Sequence, residues 1–166
     1  IAGLLGVEPA GIIYTSGASE SNNLAIKGIA QASRNTGRHM ISTVLEHASV
    51  GGTLTALQQQ GWEVDLLDIQ RDGTIDLEQL GNLLRKDTIL VSVCAVDSEL
   101  GTVQPIRQIT EILKDFPNCR LHVDATQAIG KTELVMDGVD TMSIAPHKFY
   151  GLNGSGLLLK KSSLII

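Results

Sequence analysis

Short runs of apolar, β-branched residues alternate along the whole chain with stretches whose apolar side chains recur at helical spacing. That alternation predicts an α/β fold, a mostly parallel sheet covered by helices on both faces. The extended runs are Ile12–Thr15, His39–Val44, Trp62–Leu67, Ile89–Ala95, Leu121–Asp124, Thr141–Ala145 and Gly156–Lys160, which makes a seven-stranded sheet. Between them, Ser19–Arg34 carries Leu24, Ile26, Ile29 and Ala30 near helical spacing and reads as a long helix, with Ser19 and Asn22 as half of a capping box. Ala48–Gln60, Asp76–Arg85 and Ile106–Lys114 read as shorter helices. The second of these opens on an Asp cap after the turn dipeptide Asp72-Gly73, and the third starts beside Pro105. The opening residues, Ile1–Gly6, read as the tail of another helix. Residues 147–154 are too few for a crossover helix, so the last two strands are expected to pair antiparallel and the sheet to be mixed.

Composition narrows the function classes. A chain of 166 residues can bury a full core without staples. Its net charge of −5, with basic residues scattered rather than striped, argues against nucleic acid or an anionic membrane as partner. No apolar run approaches the ~20 residues of a membrane-spanning helix. Cys94 and Cys119 lie in apolar runs and read as buried thiols. The histidines at 39, 47, 122 and 147 lack ligand spacing and no CxxC occurs, so no metal site is expected. Neither a dinucleotide fingerprint nor a P-loop is present; Gly151-x-x-Gly154-x-Gly156 has the wrong order and runs into a strand.

Ligands of open α/β sheets collect beyond the carboxyl ends of the strands, and four such segments carry chemistry. Thr15–Asn23 is a small-residue turn entering a helix. Its backbone N–H groups, with the Ser16 and Ser19 hydroxyls, could hold a phosphate, or the turn could be a plain polar cap. An apolar strand ends on Asp124, which could pair with a protonated pyridine nitrogen, bind a metal or cap the next turn. Ser143–Lys148 runs from a strand into His147-Lys148. That lysine is either an amine nucleophile activated by shielding from water or a solvated surface residue. His47, just past a strand, could lie against an aromatic ligand, move a proton, or simply hydrogen-bond.

In order along the chain, TSGASESNNLAIKG, the Glu46-His47 turn, ELGTVQPI, HVDATQAIGK and SIAPHKFYG resemble the cysteine desulfurase family of fold-type-I pyridoxal-phosphate (PLP) enzymes, and the resemblance covers essentially the whole chain. It implies the three-layer large domain of a PLP-dependent transferase, represented in part by residues 1–166. An N-terminal segment and a small C-terminal domain would lie outside them. By residue, it implies Lys148 as the Schiff-base lysine and His47 as the ring-stacking, proton-moving histidine. Asp124 would sit on the pyridine nitrogen and Gln127 on the phenolic oxygen, with Ala18, Ser19 and His147 at the phosphate. It further implies conversion of L-cysteine to L-alanine with sulfur passed to an enzyme persulfide, then to an acceptor such as an iron–sulfur scaffold, by a cytoplasmic homodimer (mitochondrial if eukaryotic). The persulfide cysteine and the carboxylate-binding arginine would lie beyond Ile166.

The chain also departs from that family. Asp97-Ser98-Glu99 replaces the usual Asn-Asn-Glu, so a carboxylate at Asp97 would face cofactor or substrate and repel the carboxylate of an amino acid. Ala145 replaces a phosphate-binding serine, a loss of about 1.5–3 kcal/mol of charge-assisted hydrogen bonding. Gly151-Leu152-Asn153-Gly154 replaces Gly-Pro-Lys-Gly. Two alternatives follow: a degenerate homologue serving as scaffold or dimer partner, and a selenocysteine lyase or aminotransferase of the same superfamily.

Overall fold

The computed structural model describes residues 2–166; of the opening helical stretch, Ile1 lies outside the described residues. Seven strands form one sheet: β1 (Ile12–Thr15), β2 (His39–Thr43), β3 (Glu63–Leu67), β4 (Thr88–Cys94), β5 (Arg120–Asp124), β6 (Thr141–Ile144) and β7 (Gly156–Lys160). Their spatial order is β1-β7-β6-β5-β4-β2-β3. The run from β6 to β3 is parallel throughout, while β7 lies antiparallel to both neighbours, β6 and β1. The expected mixed sheet and its antiparallel final pair are therefore present. Strand limits move by one residue at several ends, where the ladder stops.

The helices are α1 (Ala2–Leu5), α2 (Ala18–Ser33), α3 (Ala48–Gln58), α4 (Leu77–Leu83) and α5 (Ile106–Leu113). β2, β4 and β6 are buried along their full length because both faces of the sheet are covered, whereas the edge strands β1 and β3 are only partly buried. Alternation along the strands sends Met40 and Leu90 toward α2 and α3, and Ile41, Val91, Val93, Leu121 and Val123 toward α4 and α5. Two apolar layers result, one on each face.

On α2, residues 21, 22, 25, 26, 29 and 30 are buried, so Asn22 occupies a core position in line with Ala25, Ile26 and Ile29. The half capping box expected at Ser19 and Asn22 does not form. Gly17 is the N-cap, and Glu20 reaches back to accept from both the backbone N–H and the hydroxyl of Ser16, each at 2.7 Å. Those two bonds hold the Glu20 carboxyl below its ordinary range, and a carboxylate in the first turn also meets the favourable end of the helix dipole. Asp76 caps α4 as expected, accepting from the N–H groups of Glu78 and Gln79.

Candidate active site at the strand ends

The turns that follow β1, β2, β4, β5 and β6 converge on one cleft of about 620 Å³, inside the ~300–1,000 Å³ typical of small-ligand sites. A shallower depression of about 280 Å³ at the opposite end of the sheet contains Asp140, whose carboxylate is already engaged by Lys161 and the Leu121 N–H.

One wall is the β1–α2 turn. Ala18 and Ser19 open α2 there, and first-turn N–H groups have no carbonyl four residues back. Ser16 lines the same wall but is not the free donor that its sequence position suggested, since its hydroxyl is committed to Glu20. The turn rests directly on β7: a Cβ added at Gly156 would lie 2.5 Å from the Cα and carbonyl carbon of Gly17. Gly156→Ala is therefore expected to push the turn out of place, costing about 1–3 kcal/mol of stability by overpacking and weakening anion binding. Thermal unfolding beside a PLP titration checks both effects.

The floor is Asp124, 6% exposed at the end of β5. Its Oδ2 accepts from Asn22 Nδ2 at 2.8 Å and its Oδ1 from the Thr126 N–H at 2.9 Å. Among the described residues it has no ion-pair partner. A buried carboxylate with donors but no counter-charge keeps its charge available to a cation in the cleft. Gln127 lines the cleft beside it and accepts from Lys131 at 2.8 Å.

His47 forms the opposite wall as the N-cap of α3, its Nδ1 accepting from the backbone N–H of Ser49 at 3.1 Å and pairing with the Ser49 hydroxyl at 2.8 Å. The preceding Glu46 turns inward. Its Oε1 accepts from the Cys94 N–H at 2.7 Å and from the Thr43 hydroxyl at 2.9 Å, and its buried Oε2 has no partner. Burial pushes this carboxyl up to about 8, so it is largely protonated near neutrality. Cys94 also lines the cleft. Burial first, then the neighbouring carboxyls Glu46, Asp124 and Asp97, drive its thiol far above the ordinary range, and burial pushes Cys119 up to about 12. Neither cysteine supplies a thiolate at neutral pH.

β6 delivers Ala145, fully buried, and then a 3₁₀ turn, Pro146–Phe149, that carries His147 and Lys148 to the cleft. The turn closes with Tyr150 at φ 65° and with Gly151 pressed on Pro146, where a Cβ would lie 2.7 Å from the proline Cβ. Lys148 lines the cleft but is exposed, so the described residues do not give it the shielding from water that an activated amine was expected to have.

The cleft thus brings together Ala18, Ser19, His47, Asp124, Gln127, Ala145, His147 and Lys148. Asp97 does not join them. It is 3% exposed and turned back into its own loop, where Oδ1 accepts from the N–H groups of Glu99 and Leu100. Ser98 and Glu99 line the cleft in its place. The Asp97 carboxylate is engaged by its own turn and does not line the cleft, although its charge still acts on Cys94 there. Asn22, Ser49 and Glu46 were not among the sequence candidates. The signal for Asn22 was present, a polar residue in register with Ala25, Ile26 and Ile29 on an apolar helix face.

With this geometry, the chain belongs to the class-V aminotransferase family, a PLP-dependent family, whose model matches residues 1–165. It is 48% identical over 164 residues to a NifS/IcsS protein homolog of Lactobacillus delbrueckii subsp. bulgaricus, covering 97% of this chain and 43% of that protein. It is 45% identical over 160 residues to the cysteine desulfurase IscS of Colwellia psychrerythraea, covering 95% of this chain and 39% of that one. A solved structure described as SspA in complex with cysteine superimposes with a TM-score of 0.90 at 38% identity, covering 96% of this chain and 46% of that chain. The chain thus spans less than half the length of these relatives.

Proposed function

We propose that this chain is the cofactor-binding part of a PLP-dependent cysteine desulfurase. The reading is carried by one observation: the strand-end cleft gathers an amine (Lys148), an unneutralised buried carboxylate (Asp124), an imidazole (His47) and a helix-start anion cradle (Ala18, Ser19). Those groups fit PLP, which has an aldehyde, a basic ring nitrogen, an aromatic face and a phosphate.

When bound, PLP supplies an electron sink for charge developing at the substrate Cα. Lys148 provides the amine that holds the cofactor aldehyde. Asp124 would hold the ring N–H, Gln127 would serve the phenolic oxygen and His47 would cover the ring face, all three lining the cleft. His147 stands beside the phosphate cradle, where Ala145 leaves one hydroxyl donor fewer. The substrate in this reading is L-cysteine, and the similar SspA structure is a complex with cysteine. In the reaction, a cysteine thiolate attacks the substrate sulfur: an S–S bond forms, the C–S bond breaks, and the carbon takes a proton to give L-alanine and an enzyme persulfide.

Cys94 and Cys119 are too buried and too weakly acidic to be that thiolate. In this reading residues 1–166 are part of the large domain of a longer cytoplasmic, homodimeric enzyme, and the sulfur-accepting cysteine and the small domain belong to residues outside them. The persulfide then passes to an acceptor such as an iron–sulfur scaffold. Among the described residues no helix is long and apolar enough to cross a membrane. Ala145 and the exposure of Lys148 favour a second reading, a scaffold homologue that retains the fold with weakened cofactor binding.

The test is spectroscopic. L-cysteine added to the PLP-loaded chain is expected to shift the cofactor absorption at concentrations where L-alanine does not. Equal responses to the two amino acids would remove cysteine as the substrate.

A further inference from the structure

The cleft is backed by a continuous chain of hydrogen bonds in which every proton position is determined. Asp124 Oδ2 can only accept, so the Asn22 group facing it at 2.8 Å is the amide NH₂. The Asn22 carbonyl therefore faces His122 Nε2, 3.0 Å away, and that nitrogen must carry the proton. The His122 Nδ1 lone pair then accepts from the Thr141 hydroxyl at 2.8 Å. His122 is fully buried, and burial pulls it down to about 4, so it is the neutral imidazole these bonds require.

The second Asn22 N–H donates to Ser49 Oγ at 2.9 Å, which frees the Ser49 hydroxyl proton to point at His47 Nδ1, 2.8 Å away. The Ser49 backbone N–H, which can only donate, points at the same nitrogen. His47 Nδ1 thus receives two donors and cannot be protonated while it caps α3. The ring proton sits on Nε2, and no lone pair is left for the cavity.

We propose that Asn22 is a positioning residue that sets proton placement on both sides of the cleft, holding Asp124 as the acceptor below and, through Ser49, His47 as an N–H donor above. In this state His47 offers the cleft a proton and a flat ring face. It takes a proton from a ligand only when the cap to Ser49 opens, so proton removal at this site is coupled to movement of the first turn of α3. The inference deepens the cofactor reading and rests on it only for the identity of the ligand; the proton positions themselves are properties of the cofactor-free chain.

The experiment is a long-range ¹H–¹⁵N correlation spectrum of the histidine rings in the cofactor-free chain near neutral pH. Both His47 and His122 are expected as neutral Nε2–H tautomers, and an Nδ1–H tautomer at either ring would overturn the proposal. In Asn22→Leu, His122 loses the acceptor for its Nε2 proton and is expected to switch to the Nδ1–H tautomer, with Thr141 now accepting; unchanged His122 resonances would also overturn it. Should that variant not fold, Ser49→Ala serves, since it removes only the outer link. It is expected to move the His47 Nδ1 resonance and leave His122 in place, and an unmoved His47 Nδ1 would overturn the link between the rings. Because these spectra need no PLP, their failure is distinguishable from failure of the cofactor reading, which a PLP titration of the unmodified chain reports.

Discussion

Asp124→Asn is expected to weaken PLP binding by about 10–100-fold, the equivalent of one charge-assisted hydrogen bond of roughly 1.5–3 kcal/mol. The carboxylate is buried among donors and has no counter-charge among the described residues, so its charge is available to a cationic ring nitrogen. An asparagine there keeps the shape and loses the charge. It also has one oxygen for two donors, Asn22 Nδ2 and the Thr126 N–H, so one of them loses its acceptor. A fluorescence titration with PLP, run beside thermal unfolding, separates the two losses: affinity falls by one to two decades while the protein stays folded. Unchanged affinity would remove Asp124 from the cofactor site.

Glu46→Gln is expected to remove a large pH dependence of stability. The Glu46 carboxyl stands at about 8 in the folded protein against 4.5 as its ordinary value, raised chiefly by burial. The folded state therefore holds this proton more tightly than the unfolded chain does. The associated stability is fully present below about pH 4.5, declines as pH rises, and is gone above about pH 8, an effect on the order of 4–5 kcal/mol. Above that pH an ionised carboxylate would stand in the interior beside Asp124 with Oε2 unpartnered. Glutamine keeps an acceptor for the Cys94 N–H and the Thr43 hydroxyl and cannot ionise. Urea unfolding at pH 5, 7 and 8.5 is expected to show the parent losing stability across the series and the variant nearly flat by comparison. Parallel profiles would rule out Glu46 as the source.

Much of the architecture was legible in the sequence because periodicity reports burial, and burial builds the sheet. The run Ile89–Ala95 is largely apolar on both faces, as a strand covered by helices on each side must be, whereas Leu121–Asp124 alternates apolar Leu121 and Val123 with polar His122 and Asp124. The strand-end rule likewise located Asp124, His47 and Lys148, since a polar residue closing an apolar strand has few reasons to be there. Side-chain direction was not legible. Asp97 and Ser98 are adjacent, and only the conformation of their turn decides that Asp97 binds its own backbone while Ser98 meets the cleft. Ser19 and Asn22 do not cap α2, whose N-cap is Gly17 with no side-chain cap, while Glu20 binds Ser16 in the turn before it, a choice of partners that spacing alone does not resolve. The partners of Asn22, namely His122, Asp124 and Ser49, lie 27 to 102 residues away in sequence, beyond the reach of any local pattern.

The central claim is that Lys148 is the residue that holds PLP. Its most direct test is to add PLP to the chain, reduce with borohydride, digest, and map pyridoxyl adducts by mass spectrometry, with Lys148→Ala in parallel. A single adduct on Lys148, absent from the variant, is the predicted result. Adducts spread over exposed lysines such as Lys114 and Lys161, or no adduct on a folded chain, would contradict it.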